Sequence, residues 1–383
     1  MALSSMFSSS TSPVAVDFGT SSVKVLQIVS GDAPSLIAAV ELEVPDEIRL
    51  DQEKRYEFLL RELPPLIRQA RFKGRRAVFS IPATFSHVQH LQVPSGGGIN
   101  KDDYIKMQLQ IQVGLPVSNT VIRSVDVCDT NRGGQSGKET ICFATPRDIV
   151  MRHVDLLGKC KLEVTGVHAE QHALVWGFNH LHTRAAEQDT TNLYIDLGWG
   201  STKVAISHGR QLTFARSVRV CGQHLDKIFS RALECPIEEA RRHRLKRNVP
   251  QTASDPALVP VGSTARGAAT ATAVATHPTR TDADCPGYAE AIETLTEEVC
   301  ASLRYHQHLY PQRRIDRVIF LGGEARQLDV CRDLADVIGA VAQLGDPLAR
   351  VAAVDSPSIL GLKFGEPQPG WAVACGLCTG QAA

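Results

Sequence analysis

Two short stretches of this chain carry the residue types that handle phosphate. The first is Asp17-Phe-Gly19-Thr20-Ser21-Ser22-Val-Lys24, and the second is Asp196-Leu-Gly198-Trp-Gly200-Ser201-Thr202-Lys203. Asp17/Asp196, Gly19/Gly198, Ser22/Ser201, Lys24/Lys203 and Val25/Val204 coincide at one constant offset. A Gly/Ser turn presents closely spaced backbone N–H groups as an anion-binding concavity. Thr20, Ser21 and Ser22 add hydroxyl donors, and Lys24 adds a positive charge. Asp17 and Asp196 stand just before the turns. Mg²⁺ keeps several waters and takes one or two carboxylates together with phosphates, so both suit it through water. A third stretch, Arg317 to Leu321 followed by Gly322-Gly323, ends where backbone without side chains admits a flat base. Alone, each turn reads equally as a tight hairpin, and a strand before Gly-Gly as a cap. Together and in this order they read as parts of a nucleoside triphosphate site.

These residues need elements to hold them. Apolar runs flank each turn, so each reads as a β-hairpin with a polar tip, with a third strand near by at 36–44 and 211–218. Two copies of one unit imply two similar halves facing each other. Residues 51–71 carry Phe58, Leu59, Leu63, Leu66 and Ile67 at helical spacing, and Pro64-Pro65 is expected to bend or break that helix. Arg76 to Ile81 reads as a buried strand. Residues 84–160 read as β-α-β-β-α, a small α+β unit inserted into the larger fold, with Asn100 capping its first helix. Residues 222–247 read as two helices broken at Pro236, the second basic. Residues 289–309, 327–338 and 372–377 read as further helices. The stretch 248–287, rich in Ala, Thr, Pro and Gly, has too few large apolar residues to order itself and reads as a disordered insert.

Composition removes several classes. The chain has 383 residues, 43% hydrophobic and 21% charged, enough for two or three domains or one bilobed fold. Lys+Arg and Asp+Glu are 41 each. Zero net charge argues against a nucleic-acid binder and against electrostatic attachment to anionic lipid. No apolar run is long enough for a membrane span. Residues 1–12 lack the basic start and apolar stretch of a secretory signal and read as a flexible leader. Ten cysteines without a signal read as reduced thiols, and Cys375-Gly-Leu-Cys378 as core rather than metal or redox chemistry. His168, Glu170, His172, His180 and His182 lie close together, but their spacing matches no known zinc arrangement. The basic run 239–247 reads first as a solvated helix face.

With these motifs the chain resembles the actin-like nucleotide-binding superfamily, and within it the PilM family of type IV pilus assembly, kin to the cell-division protein FtsA. The resemblance covers about residues 13–247 and 288–380, and residues 84–160 match the inserted subdomain of those proteins in place and element order. It implies a duplicated actin-like (ribonuclease H-like) α/β fold. A first lobe would comprise 13–83 with connections at 161–190 and 372–380, and a second lobe 191–371. It implies ATP and Mg²⁺ held by Asp17, Gly19, Thr20, Ser21, Ser22 and Lys24 in the first phosphate motif and by Asp196, Gly198, Gly200, Ser201 and Thr202 in the second. Gly222, Arg244, Gly322, Gly323 and Arg326 would serve the adenosine side. Glu170 fits the position of a carboxylate that orients the attacking water; read from its place in the chain, it is equally a helix-capping Glu.

Three residues depart from the family pattern. Trp199 stands where a small residue is usual, Cys221 where a Gly is, and Arg241 where an acid is. The function implied is an ATP-binding cytoplasmic scaffold of a type IV pilus (or type II secretion) inner-membrane platform, with slow or no hydrolysis. It would be peripheral to the membrane through the N-terminal cytoplasmic peptide of a PilN-like protein, with self-association left open. The chain ends just past 372–380 without an amphipathic tail, so direct membrane anchoring is not expected. A scaffold that has lost nucleotide and a small-molecule kinase of the same superfamily are the alternatives.

Overall fold

In the computed structural model, residues 10–31, 34–96, 98, 100–132, 135–179, 181, 188–246, 285, 287–352, 359–363 and 365–380 are described. Residues 1–9 of the expected leader (1–12), most of the expected insert (248–284 and 286), His180 and His182 lie outside them, while Ser10 and Thr11 of that leader pair as a short strand rather than staying loose.

The strands are β1 (Ser10–Thr11), β2 (Val14–Phe18), β3 (Ser22–Ser30), β4 (Ser35–Glu43), β5 (Arg76–Ile81), β6 (His87–Pro94), β7 (Thr120–Arg132), β8 (Gln135–Pro146), β9 (Glu163–Ala169), β10 (Thr191–Leu197), β11 (Thr202–His208), β12 (Gln211–Val218), β13 (Arg317–Leu321) and β14 (Val341–Leu344). The helices are α1 (Gln52–Ala70), α2 (Lys101–Val113), α3 (Arg147–Lys159), α4 (Glu170–Trp176), α5 (Gly222–Ala232), α6 (Ile237–Lys246), α7 (Tyr288–Leu309), α8 (Leu328–Ile338) and α9 (Ala372–Thr379).

The two hairpins seed two sheets of one design. The first has the order β1-β3-β2-β5-β9, with β4 also on β3. The second has the order β12-β11-β10-β13-β14. In each, an antiparallel hairpin leads into parallel strands: β2 pairs β3 antiparallel and β5 parallel, and β10 pairs β11 antiparallel and β13 parallel. The register sets Asp17 opposite Lys24 and Asp196 opposite Lys203. The central strands β2 and β10 are buried throughout, which is why they read as continuous apolar runs rather than alternating ones.

Helices cover both faces of these sheets. α1 and α3 pack on the outer face of the first, around Val16, Phe79, Leu59, Leu63 and Leu157. α5, α7 and α8 pack on the outer face of the second, around Ile195, Phe320, Phe229, Leu295 and Leu334. Between the sheets run α4 and α9, which share a core with Ala15, Val78, Tyr194 and Ile319. Their backbones touch. A Cβ on Gly376 would collide with the carbonyl of Ala173, and one on Gly177 with the carbonyl of Ala372. A third sheet, β6-β8-β7, carries α2 and its own core of Leu91, Ile105, Leu109 and Ala144. It leans on the second half, where Tyr305 donates to Glu139 at 2.6 Å and His90 Nδ1 lies 3.1 Å from the same carboxylate.

Of the bend or break expected at Pro64-Pro65, a break does not occur; α1 runs unbroken through both prolines. Its core-facing residues Leu59, Leu63 and Ile67 are buried on either side of them, and tertiary burial of an apolar face outweighs the lost backbone hydrogen bonds. Asn100 caps α2 as expected, accepting from the amides of Asp102 and Asp103. Cys375 and Cys378 are buried in α9, where their thiols donate to the carbonyls of Pro347 and Leu26. Burial raises both thiols, Cys378 to about 12.

Candidate functional site

The two hairpin tips end on one cavity of about 830 Å³ between the halves. They touch: a Cβ on Gly200 would come within 2.9 Å of Thr20 Cβ. Gly19 and Gly198 each sit at a turn too tight for a side chain: an added Cβ would stand 2.9 and 2.7 Å from the carbonyl oxygens of Ser22 and Ser201. Gly322 (φ 88°) passes so close to Leu197 and Asp196 that no larger residue fits.

Of the expected site residues, Asp17, Gly19, Thr20, Ser21, Ser22, Lys24, Glu170, Asp196, Gly198, Gly200, Ser201, Gly322, Gly323 and Arg326 line this cavity. Three do not. Thr202 is buried and donates to the carbonyl of Val220 at 2.7 Å. Gly222 is closed off by Glu324, whose carboxylate lies 2.6 Å from where its Cβ would stand. Arg244 is turned into the protein, 2% exposed, and paired at 2.7 Å with both Asp226 and Glu324. Its charge belongs to a buried ion network and is withheld from the cavity. The reason is local. Trp199 donates its indole N–H to Asp226 at 2.7 Å, and a buried carboxylate so placed requires a cation partner.

The two lysines of the tips are held differently. Lys24 donates to Ser22 Oγ at 2.8 Å and pairs with Glu41 at 3.3 Å. Lys203 lies 3.0 Å from Asp196 and 3.4 Å from Glu170. Burial opposes the charge on Lys203, but Asp196 and Glu170 together hold its pKa above the usual lysine range. Asp17 accepts from Ser80 at 3.0 Å, and burial raises its pKa against the pull of Lys24 and Lys203. Glu170 opens α4, yet its carboxylate does not cap that helix; it accepts from the Ala83 amide at 2.8 Å. Burial lifts its pKa to about 7, with Lys203 working the other way and Asp17 adding repulsion.

Four further residues bridge the mouth. Arg241 of α6 meets Asp46 at 2.8 Å, Asp46 also pairs with Arg49, and the Arg49 guanidinium lies 4.9 Å over the Trp199 ring. Thus Trp199 and Arg241, two departures from the family pattern, both contact the turn at 46–49 from across the cleft. Sequence reading missed Lys203, Glu41, Asp46 and Arg49 as cavity residues. Only Lys203 had a signal, its register with Lys24 in the repeated motif. Carboxylates outnumber cations along the wall, and among the cations Arg242 and Arg326 have no ion-pair partner among the described residues. His168 and His172 both pack edge-on or tilted against Trp176, at 5.2 and 4.3 Å, which orients them as aromatic packing residues.

No helix among the described residues is long and apolar enough to cross a membrane. No curated protein sequence matches the chain. Among solved structures, the chain is similar to the "PilM-PilN type IV pilus biogenesis complex" at 17% identity, covering 97% of each chain with a TM-score of 0.71. It is more loosely similar to the ethanolamine utilization protein EutJ from Carboxydothermus hydrogenoformans, at 12% identity, 96% and 89% coverage and a TM-score of 0.48. A third, MreB5 of Spiroplasma citri bound to ADP, shares 13% identity over 95% and 94% of the two chains, with a TM-score of 0.44. The first of these establishes the actin-like fold. The profile of one family, the type IV pilus assembly protein PilM, matches residues 15–271, and by that match the chain belongs to the PilM family of type IV pilus assembly proteins.

Proposed function

We propose that this protein is an ATP-binding scaffold of the type IV pilus inner-membrane platform. The observation that carries the reading is the convergence of both hairpin tips and both strand-end carboxylates, Asp17 and Asp196, on one cavity. The residues present fit a Mg²⁺–triphosphate. Gly19, Gly198, Gly200 and Gly322 let the backbone of the turns close up beside the cavity, since a Cβ on any of them would strike neighbouring protein atoms. Ser21 and Ser201 offer hydroxyls, while that of Ser22 already donates to Glu41 at 2.8 Å. The excess of carboxylates on the wall disfavours a bare polyanion and favours one carrying a divalent cation. Asp17 and Asp196 would hold the metal through water, and Mg²⁺ would neutralise phosphate charge there. Gly323 and Arg326 would face the adenosine end.

Hydrolysis in this reading is slow or absent. Glu170 is close enough to the tips to orient a water, but its Oε2 is already engaged by the Ala83 amide and Lys203. With Oε2 so held, only Oε1 remains to meet a water. ATP occupancy would instead bias the angle between the halves, a population shift that partner binding reads. The relative solved with PilN supports a PilN-like membrane protein as partner, bound through its N-terminal cytoplasmic peptide near the unit spanning 84–160. Such a partner would hold the chain at the cytoplasmic face of the inner membrane. We read 13–83 as the first lobe, 84–160 as the inserted subdomain and 191–371 as the second lobe.

A scaffold without nucleotide is the second reading, favoured by the withdrawal of Gly222 and Arg244 from the cavity. Calorimetric titration with ATP and Mg²⁺ separates the two. Saturable heat that disappears in the Asp17→Ala, Asp196→Ala double variant supports nucleotide binding; no heat with the folded wild type leaves the bare scaffold.

A further inference from the structure

The two hairpin tips are repeats of each other, yet the same two carbonyls are satisfied by different chemistry. In the second tip, the carbonyls of Gly198 and Trp199 accept from the amides of Gly222 (3.1 Å) and Gln223 (2.8 Å), at the start of α5. In the first tip the matching residues are Gly19 and Thr20. Their carbonyls accept from the two terminal nitrogens of Arg55, at 2.7 and 2.5 Å. Arg55 is 5% exposed and has no carboxylate ion-pair partner among the described residues. It does not line the cavity. Burial and the neighbouring Arg49 lower its pKa to about 10, against the pull of Asp17, so it stays charged at neutral pH.

A buried guanidinium bonded only to backbone oxygens is costly unless something compensates it. The geometry of the peptide unit shows what that something is. All peptide bonds of the described chain are trans, so each C=O points opposite to the N–H of the next residue. With the carbonyls of Gly19 and Thr20 pinned to Arg55 behind the tip, the amides of Thr20 and Ser21 point the other way, toward the cavity. The Ser21 carbonyl is likewise taken, by the Val44 amide at 2.9 Å, which turns the Ser22 amide to the same side.

We propose that Arg55 is the positioning residue of the first tip: its fork fixes two successive peptide planes so that their amides face an anionic ligand, and its charge lies directly beneath that ligand without touching it. This rests on the reading of the cavity as a polyphosphate site. Lysine cannot replace the fork, because an ammonium is a single compact donor. Arginine here does the task that a helix N-terminus does in the other half.

The test uses the whole protein with Arg55→Met and Arg55→Lys. Binding of ATP with Mg²⁺, and of tripolyphosphate with Mg²⁺, is measured by calorimetry. Amide hydrogen exchange of the peptides covering 14–24 and 193–204 is followed without any ligand. Arg55→Met is expected to weaken both ligands by about tenfold to a hundredfold, with Arg55→Lys between it and wild type. Exchange is expected to quicken at 14–24 and stay unchanged at 193–204, a selectivity that general destabilisation would not give. Unchanged exchange at the first tip in both variants, or wild-type affinity in Arg55→Met, overturns the proposal. If wild type binds neither ligand, the nucleotide reading falls, while the exchange comparison still decides whether Arg55 positions the tip.

Discussion

The two halves solve one local problem in two ways, and the difference begins at a helix cap. Asp51 caps α1 by accepting from the Lys54 amide, so that helix start is already engaged and the first tip is held by a side chain four residues further in. Cys221 provides no capping side chain for α5, and the free amides of Gly222 and Gln223 hold the second tip instead. The lysines diverge in the same way. Lys24 pairs with Glu41 on its own sheet, whereas Lys203 is shared between Asp196 and Glu170 of the connecting helix α4. The first tip is thus tied by groups that can be changed one at a time. The second is tied by backbone and by a buried charge network. Duplication preserved where the tips must be, and left free what keeps them there.

The largest expected effect breaks the second anchor. Gly222→Ala would press a methyl against the Glu324 carboxylate and disturb its pairing with Arg244; we expect a loss of about 3 kcal/mol in urea unfolding. Arg55→Met should cost less, about 2 kcal/mol, because removing the buried guanidinium also relieves its desolvation and so offsets part of the loss of two backbone bonds. If the two losses are equal, the contrast between a replaceable and an irreplaceable anchor fails.

The carboxylate that shares Lys203 with Asp196 gives the second anchor a pH signature. The Glu170 pKa is raised from 4.5 to about 7 by burial, so the folded state retains a proton that the unfolded chain releases. Its stabilising contribution is complete below about 4.5 and is lost as pH rises through about 7. The stability of Glu170→Gln relative to wild type should therefore increase across that window and level off above it, as followed by denaturant midpoints at several pH values. The smallest effect concerns the mouth. Asp46→Ala removes partly exposed pairs to Arg49 and Arg241 and should cost about 1 kcal/mol or less. It should quicken exchange at 199–201 more than at 19–22, since Trp199 lies under Arg49.

Much of this arrangement was legible in the sequence. The repeat of Asp-x-Gly with a following Lys, each between apolar runs, specified two hairpins, and period-two pairing then fixed each Asp opposite its Lys. Asn100 and the helix it starts were equally plain. What escaped was set by contacts distant along the chain. Arg244 is expected at the adenosine side from the family resemblance, but its direction is decided by Asp226 and Glu324, which stand 18 residues before it and 80 after it. Glu170 reads as a cap because it begins a helix, yet Ala83, far earlier in the chain, takes its carboxylate. The double proline reads as a break because local rules ignore the apolar face that holds α1 to the sheet. Nothing in the sequence singles out Arg55; only the fold brings it to two tip carbonyls.

The crossing of α4 and α9 has a mechanical consequence. At Gly376 and Gly177 main chain rests on main chain, with no side chain in between to compress or reorient. Such a junction would serve as a fulcrum: the halves could turn about it, but could not draw apart without losing the contact outright. A ligand at the tips would then act on a lever with a fixed bearing, and a small displacement there would grow toward the far ends of both sheets.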